Sequence, residues 1–314
     1  ETGLLGTRLA DYHDSQLNQL CLAGDVVWGR FSKQTDQDLL SARGRAAPLS
    51  RATPISLALR ESLPWLLNDV LEMDQLSDRL GGAYREFLEL LNNRGALFTS
   101  EIANATNRLR SDVDETLWKL AASGLVTTDG FSPLKDRIER TALPKSRHLR
   151  GRRDHRINGP PLNGPPSSRW SLLNFPDNSI DNPDSHFEAK TNQLLSRYGI
   201  IFPELLYREP TAPPWRYMVR ILRRMEAKGE IRGGRFVSGF IGEQFAIPEA
   251  IEMLRSNRNS DAGESLITIS ACDPLNLIGI LTPGDKIPAI IGNKIVFCGG
   301  SPICSLSHGQ ITNH

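Results

Sequence analysis

The sequence predicts an α+β chain in which tandem winged-helix domains are followed by a small β-barrel, and three observations predict it. A helix that ends at glycine and runs at once into a strand recurs at 15–31, 111–131 and 213–237. The last of these helices is basic and amphipathic, and the hairpin after it is broken by paired glycines. Beyond Val237 the chain turns to short β-branched runs separated by turn signals.

In the basic helix, Tyr217, Met218, Ile221, Leu222 and Met225 recur at a spacing that places them on one face. Arg216, Arg220, Arg223 and Arg224 fall elsewhere. Pro213 and Pro214 suit a helix start, where a missing N–H costs nothing. Lys228-Gly229 is a cationic last turn followed by glycine at the left-handed cap, and Glu230-Ile231-Arg232 resumes as a strand broken by Gly233-Gly234. This is the recognition helix and wing of a winged helix, with a row of solvated arginines as the alternative reading.

A length of 314 residues suits two or three compact units. At 39% apolar and 23% charged residues the composition is that of an ordinary globular protein. The net charge of +1 conceals an uneven distribution. Lys145, Arg147, Arg150, Arg152, Arg153, Arg156 and Arg169 face the single acid Asp154, so a nucleic-acid footprint is expected as a local patch. Cys21, Cys272, Cys298 and Cys304 form no CxxC pair and no zinc-finger spacing, which predicts free thiols of a reducing compartment. No apolar run approaches the roughly 18 residues of a membrane span, and the expected location is cytoplasmic. The chain opens without methionine inside a structured segment, which reads as part of a longer polypeptide.

In chain order, 1–47 is a partial winged-helix unit: Ser15–Gly24 is a helix with a glycine stop, and Asp25–Phe31 is a strand. Residues 32–58 read as a loop. A winged-helix domain spans 61–135, with helices over 80–92, 99–106 and 111–122, a hydroxyl cap signal at Thr99-Ser100, and a strand and turn over 125–131. Its third helix carries Asp112, Asp114 and Glu115 against Lys119, which suits protein packing better than phosphate. Residues 136–183, with Pro160, Pro161, Pro165 and Pro166, form a basic linker, either an arm that lies on a phosphate backbone or a solvated connector. The next winged helix spans 184–240, with helices over 186–198, 202–206 and 213–228. The barrel-like domain over 241–314 is expected to hold a helix from Pro248 and strands at 265–270, 278–281 and 294–298.

No GxxxxGK[ST] loop, GxSxG elbow, HExxH pair or kinase signature is present, so this stretch holds no nucleotide motor and no metal site of those kinds. The candidate catalytic residues are Glu243, Gln244 and Asp273, with Asn276 and Asp285 nearby in sequence. A carboxylate there could orient water at a flipped nucleotide. The structural alternatives are a turn started by Asp273-Pro274 and a cap from Glu243-Gln244.

Four stretches carry a family resemblance: Arg197–Phe202, Gly229–Val237, Gly242–Ala250 and Asp273–Gly284. With Leu20–Arg30, they resemble the C-terminal region of the bacterial large helicase-related proteins (Lhr, long form). The resemblance implies a superfamily 2 DNA helicase that acts in DNA repair, whose ATP- and magnesium-binding motor lies outside this chain; it implies no cofactor here. It further implies a winged-helix array ending in a β-barrel similar to AlkZ-type DNA glycosylases, a tendency to oligomerise, and in some members uracil-DNA glycosylase activity. The family's glycosylase-linked aspartate lies near its extreme C-terminus, and no acid follows Asp285 here, so that role is not carried over.

The expected function is therefore a DNA-binding and assembly region of a repair helicase. Its expected partners are single-stranded or damaged DNA, the helicase core of the same protein and a second copy of the chain. The DNA contacts are expected from Arg216, Arg220, Arg223, Arg224, Arg232, Arg235, Arg147, Arg150, Arg152 and Arg153. The alternative is base excision of uracil at the junction between winged helix and barrel.

Overall fold

The computed structural model describes residues 5–6, 8–31, 49, 53–67, 82–142, 168–173, 183–207, 209, 211–258, 265–282, 284–290, 292–307 and 309–314. The chain divides into two compact units, one of Asp14–Asp181 and one of Glu1–His13 with Asn182–His314.

The first unit contains a complete winged helix. Helix α3 (Gly82–Arg94) leads to strand β3 (Leu97–Phe98), then α4 (Thr99–Thr106), α5 (Arg110–Ala122) and β4 (Val126–Thr128), and the sheet is completed by β5 (Arg169–Leu172). The strand order is β3-β5-β4, with both pairings antiparallel. Strand β5 and helix α6 (Ser132–Ala142) both fall inside or across the stretch expected as linker, so α6 and the proline-rich tract are an insertion between the two wing strands. The sequence concealed this because Arg169-Trp170-Ser171-Leu172 is a short run behind a proline-rich segment. The hydroxyl cap expected at α4 is replaced by a carboxylate: Glu101 Oε2 accepts the Phe98 N–H at 2.7 Å, while the Thr99 hydroxyl accepts the Trp170 indole N–H at 3.1 Å.

The amino-terminal elements α1 (Asp14–Ala23), β1 (Val26–Gly29), β2 (Ser56–Leu59) and the short α2 (Leu63–Leu66) join the same unit. Strand β2, which falls in a stretch read as loop, pairs antiparallel with β1 from Val26↔Leu59 to Gly29↔Ser56. Trp28 is fully buried, stacks 6.2 Å from Trp118 and donates its indole N–H to the Thr128 hydroxyl and the Gly130 carbonyl. Trp118 in turn meets Trp170 edge-on at 4.9 Å. A core of Trp28, Phe87, Leu91, Ile102, Leu117 and Val126 thus ties the partial unit to the winged helix. Each large side chain so buried contributes about 1.5–3 kcal/mol.

The second unit repeats the plan. Helix α7 (Pro183–Tyr198), β6 (Ile200–Ile201), the short α8 (Pro203–Leu206), α9 (Trp215–Ala227), β7 (Arg232–Gly234) and β8 (Gln244–Ala246) follow in the same succession, and the strand order is β6-β8-β7. The middle strand is again the last in sequence. The recurring glycine stops share one hydrogen-bond pattern. After Gly24, Gly124 and Gly229, all with positive φ, the next amide donates five residues back (Asp25 to Leu20, Leu125 to Leu120, Glu230 to Met225). The glycine amide itself donates three residues back in each case, which completes the Schellman closure.

Residues 248–314 add helix α10 (Pro248–Asn257) and strands β9 (Leu266–Ser270), β10 (Lys294–Cys298), β11 (Ser301–Ser307) and β12 (Gln310–Asn313). These strands form an open antiparallel sheet in the order β12-β11-β10-β9; among the described residues no barrel closes. Its buried core is small, Ala271, Ile278 and Ile295, while β12 is exposed along its length. The strand expected at 278–281 is a turn, because the Ile280 and Leu281 amides both bond back to the Leu277 carbonyl. No described helix is long and apolar enough to cross a membrane.

Candidate nucleic-acid interface

Helix α9 buries Met218, Ile221, Leu222 and Met225 against Leu194, Leu195, Ile201, Ile231 and Phe245. Its first helical residue is Trp215, so Pro213 and Pro214 sit ahead of the helix and Pro214 is its N-cap. With the apolar stripe committed to the core, Arg216, Arg220, Arg223 and Arg224 are all exposed. The wing follows in register, with Arg232↔Ala246 and Gly234↔Gln244 paired, and it adds exposed Arg232 and Arg235.

These six arginines are not equivalent. Arg223 Nη2 donates to Glu243 Oε2 at 2.8 Å, which ties helix to wing. Arg224 Nη2 donates to Glu188 Oε2 of α7 at 2.7 Å. Arg216 lies over the Tyr217 ring at 4.8 Å, and Tyr217 stacks on Phe187 at 5.4 Å. Among the described residues, Arg220, Arg232 and Arg235 form no ion pair, and all three are exposed. Arg147, Arg150, Arg152 and Arg153 lie outside the described residues.

The corresponding helix of the first unit has opposite character. On α5, Glu115 pairs with Lys119 at 2.6 Å, and Asp114 with Arg137 of α6 at 3.4 Å. The hydrogen bond and positive charge of Lys119, followed by the charge of Arg137, hold the Glu115 carboxyl below its ordinary range. Arg137 also lies over Trp118 at 5.7 Å, so the inserted helix packs on the face where a groove-reading helix would need open cations.

The three candidate catalytic residues have structural partners. Glu243 is held by Arg223. Gln244 is 1% exposed; its Oε1 accepts the Phe236 and Val237 amides at 2.8 and 2.7 Å, and its Nε2 donates to the Val237 carbonyl at 2.8 Å. Asp273 is 3% exposed and its Oδ1 accepts both Arg8 Nη2 at 2.7 Å and the Leu275 amide at 2.9 Å. Asn276 donates to the Ala271 and Ile287 carbonyls. A cavity of about 430 Å³ lies on the carboxy-terminal sheet, lined by Ile267, Ile269, Leu277, Ile278, Phe297 and Pro302 among others, and its lining includes none of Glu243, Gln244 and Asp273. Among the described residues no cluster of His, Cys, Asp or Glu is placed to hold a metal ion.

Two roles escaped the sequence. Gln244 braces the wing from within, and Glu226, on the exposed side of α9, accepts the Gly233 amide at 2.8 Å to fix the start of the hairpin. The only signal was a polar side chain within three residues of a glycine, Gly229 for Glu226 and Gly242 for Gln244, in a turn whose backbone N–H groups need a partner.

The repeated strand order, the glycine closures and the basic α9 define a winged-helix protein. Residues 181–266 match the family described as large helicase-related protein, winged-helix domain. That stretch is a winged-helix domain of the large helicase-related type, and the similarity to such proteins extends along the chain. The chain is 27% identical to the Lhr helicase/uracil glycosylase of Escherichia coli strain K12 over 98% of its own length and 20% of that protein. It is 24% identical to the Lhr helicase/probable uracil glycosylase of Mycolicibacterium smegmatis, over 87% of this chain and 18% of the relative. The chain therefore spans about a fifth of the length of the curated relatives it matches.

Proposed function

We propose that this chain is a DNA-binding region of a helicase-related protein, and that the second winged helix grips the phosphate backbone. The observation that carries the reading is the set of exposed cations Arg220, Arg232 and Arg235 on one recognition helix and its wing, which form no ion pair among the described residues. Phosphate neutralisation by such cations releases counterions and makes affinity fall with salt. The relatives' helicase names support a motor core as partner in the same protein; action of that core with ATP and magnesium in DNA repair is part of the proposal. In the first winged helix, the acidic α5 bridged by α6 suits a spacer better than a reader. The test is fluorescence anisotropy with labelled duplex and single-stranded DNA at several salt concentrations. Binding that weakens steeply with salt supports the reading, and an absence of binding at low salt defeats it.

The second reading is excision of uracil, favoured by the relatives' names and by a cavity whose size could take a nucleobase. The cavity's apolar lining and the structural partners of Glu243, Gln244 and Asp273 weigh against it. Incubation with a uracil-containing strand, followed by alkali, would reveal abasic sites if excision occurs; an intact strand removes this reading.

A further inference from the structure

We propose that Ile241, at the tip of the second wing, is an apolar wedge that enters a base step of duplex DNA. The proposal rests on the DNA-binding reading above and assigns the tip a role that phosphate contact does not. Ile241 is 86% exposed, more than any other large apolar side chain among the described residues. A single exposed apolar residue is ordinary on a protein surface, so the argument lies in how this one is presented.

The tip is Gly239-Phe240-Ile241-Gly242, and both glycines occupy the left-handed region, at φ +89° and +102°, with open space where a side chain would stand. Phe240 turns inward and meets the buried Phe202 at a ring separation of 4.5 Å. Three hydrogen bonds from buried Gln244 hold the Phe236 and Val237 backbone behind the tip. The Arg223–Glu243 pair ties the far side of the hairpin to the recognition helix. The loop is thus fastened on both flanks and through Phe240, and Ile241 is held out where it cannot fold back onto the core.

The charge around it selects the partner. Arg232 and Arg235 stand on the same hairpin and Arg220 on the adjoining helix, all exposed and with no ion pair among the described residues. An apolar group flanked by cations matches a base stack flanked by phosphates. Architectural proteins use side chains of this type, isoleucine among them, to part base steps. A protein surface offering both an apolar site and a ring of acids is the competing occupant, and the experiment below distinguishes the two.

The test uses the whole chain with short duplexes that carry 2-aminopurine at successive positions, with anisotropy read in parallel. The wild type should brighten the probe at one step, since unstacking relieves quenching. Ile241→Ala should abolish the brightening and weaken binding by about three- to tenfold, with an unchanged salt slope because no charge is lost. Ile241→Phe should retain the brightening. Because the side chain is already in solvent, the alanine variant should fold normally, which circular dichroism checks. If the wild type binds with a steep salt slope but no position brightens, or if Ile241→Ala brightens equally, the wedge is wrong and the DNA-binding reading survives. If anisotropy detects no binding at low salt, both are wrong.

Discussion

Glu243 Oε2 lies 2.8 Å from Arg223 Nη2, so a carboxylate of the wing holds a cation of the recognition helix. Both partners are exposed, 53% and 63% by side chain, and the pair is worth at most about 1 kcal/mol to folding. Its larger effect is on the interface, where it withdraws one positive charge from phosphate. Glu243→Gln should therefore tighten duplex binding and steepen the salt slope by up to about 0.9, one further phosphate contact. If Glu243 were catalytic instead, the same change would leave affinity unaltered and abolish excision of uracil. Anisotropy titrations and the alkali assay on one preparation read both quantities.

Gln244 is the internal brace of the wing. Gln244→Leu leaves the Phe236 and Val237 amides without their acceptor, and each unsatisfied buried group costs about 1–3 kcal/mol. Hydrogen exchange at those two amides should accelerate while exchange in the α9 interior stays near wild type. Equal acceleration in both places would mean that Gln244 supports the whole winged helix and has no special role in the wing.

Asp273 is buried, and Arg8 reaches it from the amino-terminal segment of the same unit. Arg8→Ala leaves the Leu275 amide donating to the same oxygen, but the opposing charge is lost. Arg8 is 41% exposed, which reduces the effect, and a destabilisation of about 1–3 kcal/mol is expected. Arg8→Ala combined with Asp273→Asn should recover part of that loss, because the unpaired charge is gone. Urea unfolding of the two variants measures the difference, and a double variant no more stable than Arg8→Ala would contradict the account.

Much of this was legible in the sequence, for identifiable reasons. Helix α9 and its stop were written in the spacing of Met218, Ile221, Leu222 and Met225 and in Lys228-Gly229, because burial periodicity and a left-handed cap are local signals. The insertion in the first wing was not legible: β5 gains its identity only by pairing between β3 and β4, across a proline-rich tract. The strand expected at 278–281 has the right composition, yet a local turn satisfies its amides first. The six arginines were visible as a group, but their sorting depends on Glu188 and Glu243, which lie 36 and 20 residues from their partners. The wing's reliance on Gln244 was equally hidden, since a glutamine beside glycines reads as a polar loop residue until its three hydrogen bonds are seen.

The central claim is that Arg220, Arg232 and Arg235 carry the phosphate contact. The most direct measurement is the salt dependence of duplex affinity for the wild type and for the triple Arg→Ala variant of those three residues. The account predicts that the slope of log K against log salt becomes shallower by about 2.7, or 0.9 for each phosphate released, while thermal stability stays within a few degrees because all three side chains are exposed. An unchanged slope in a folded triple variant would contradict it.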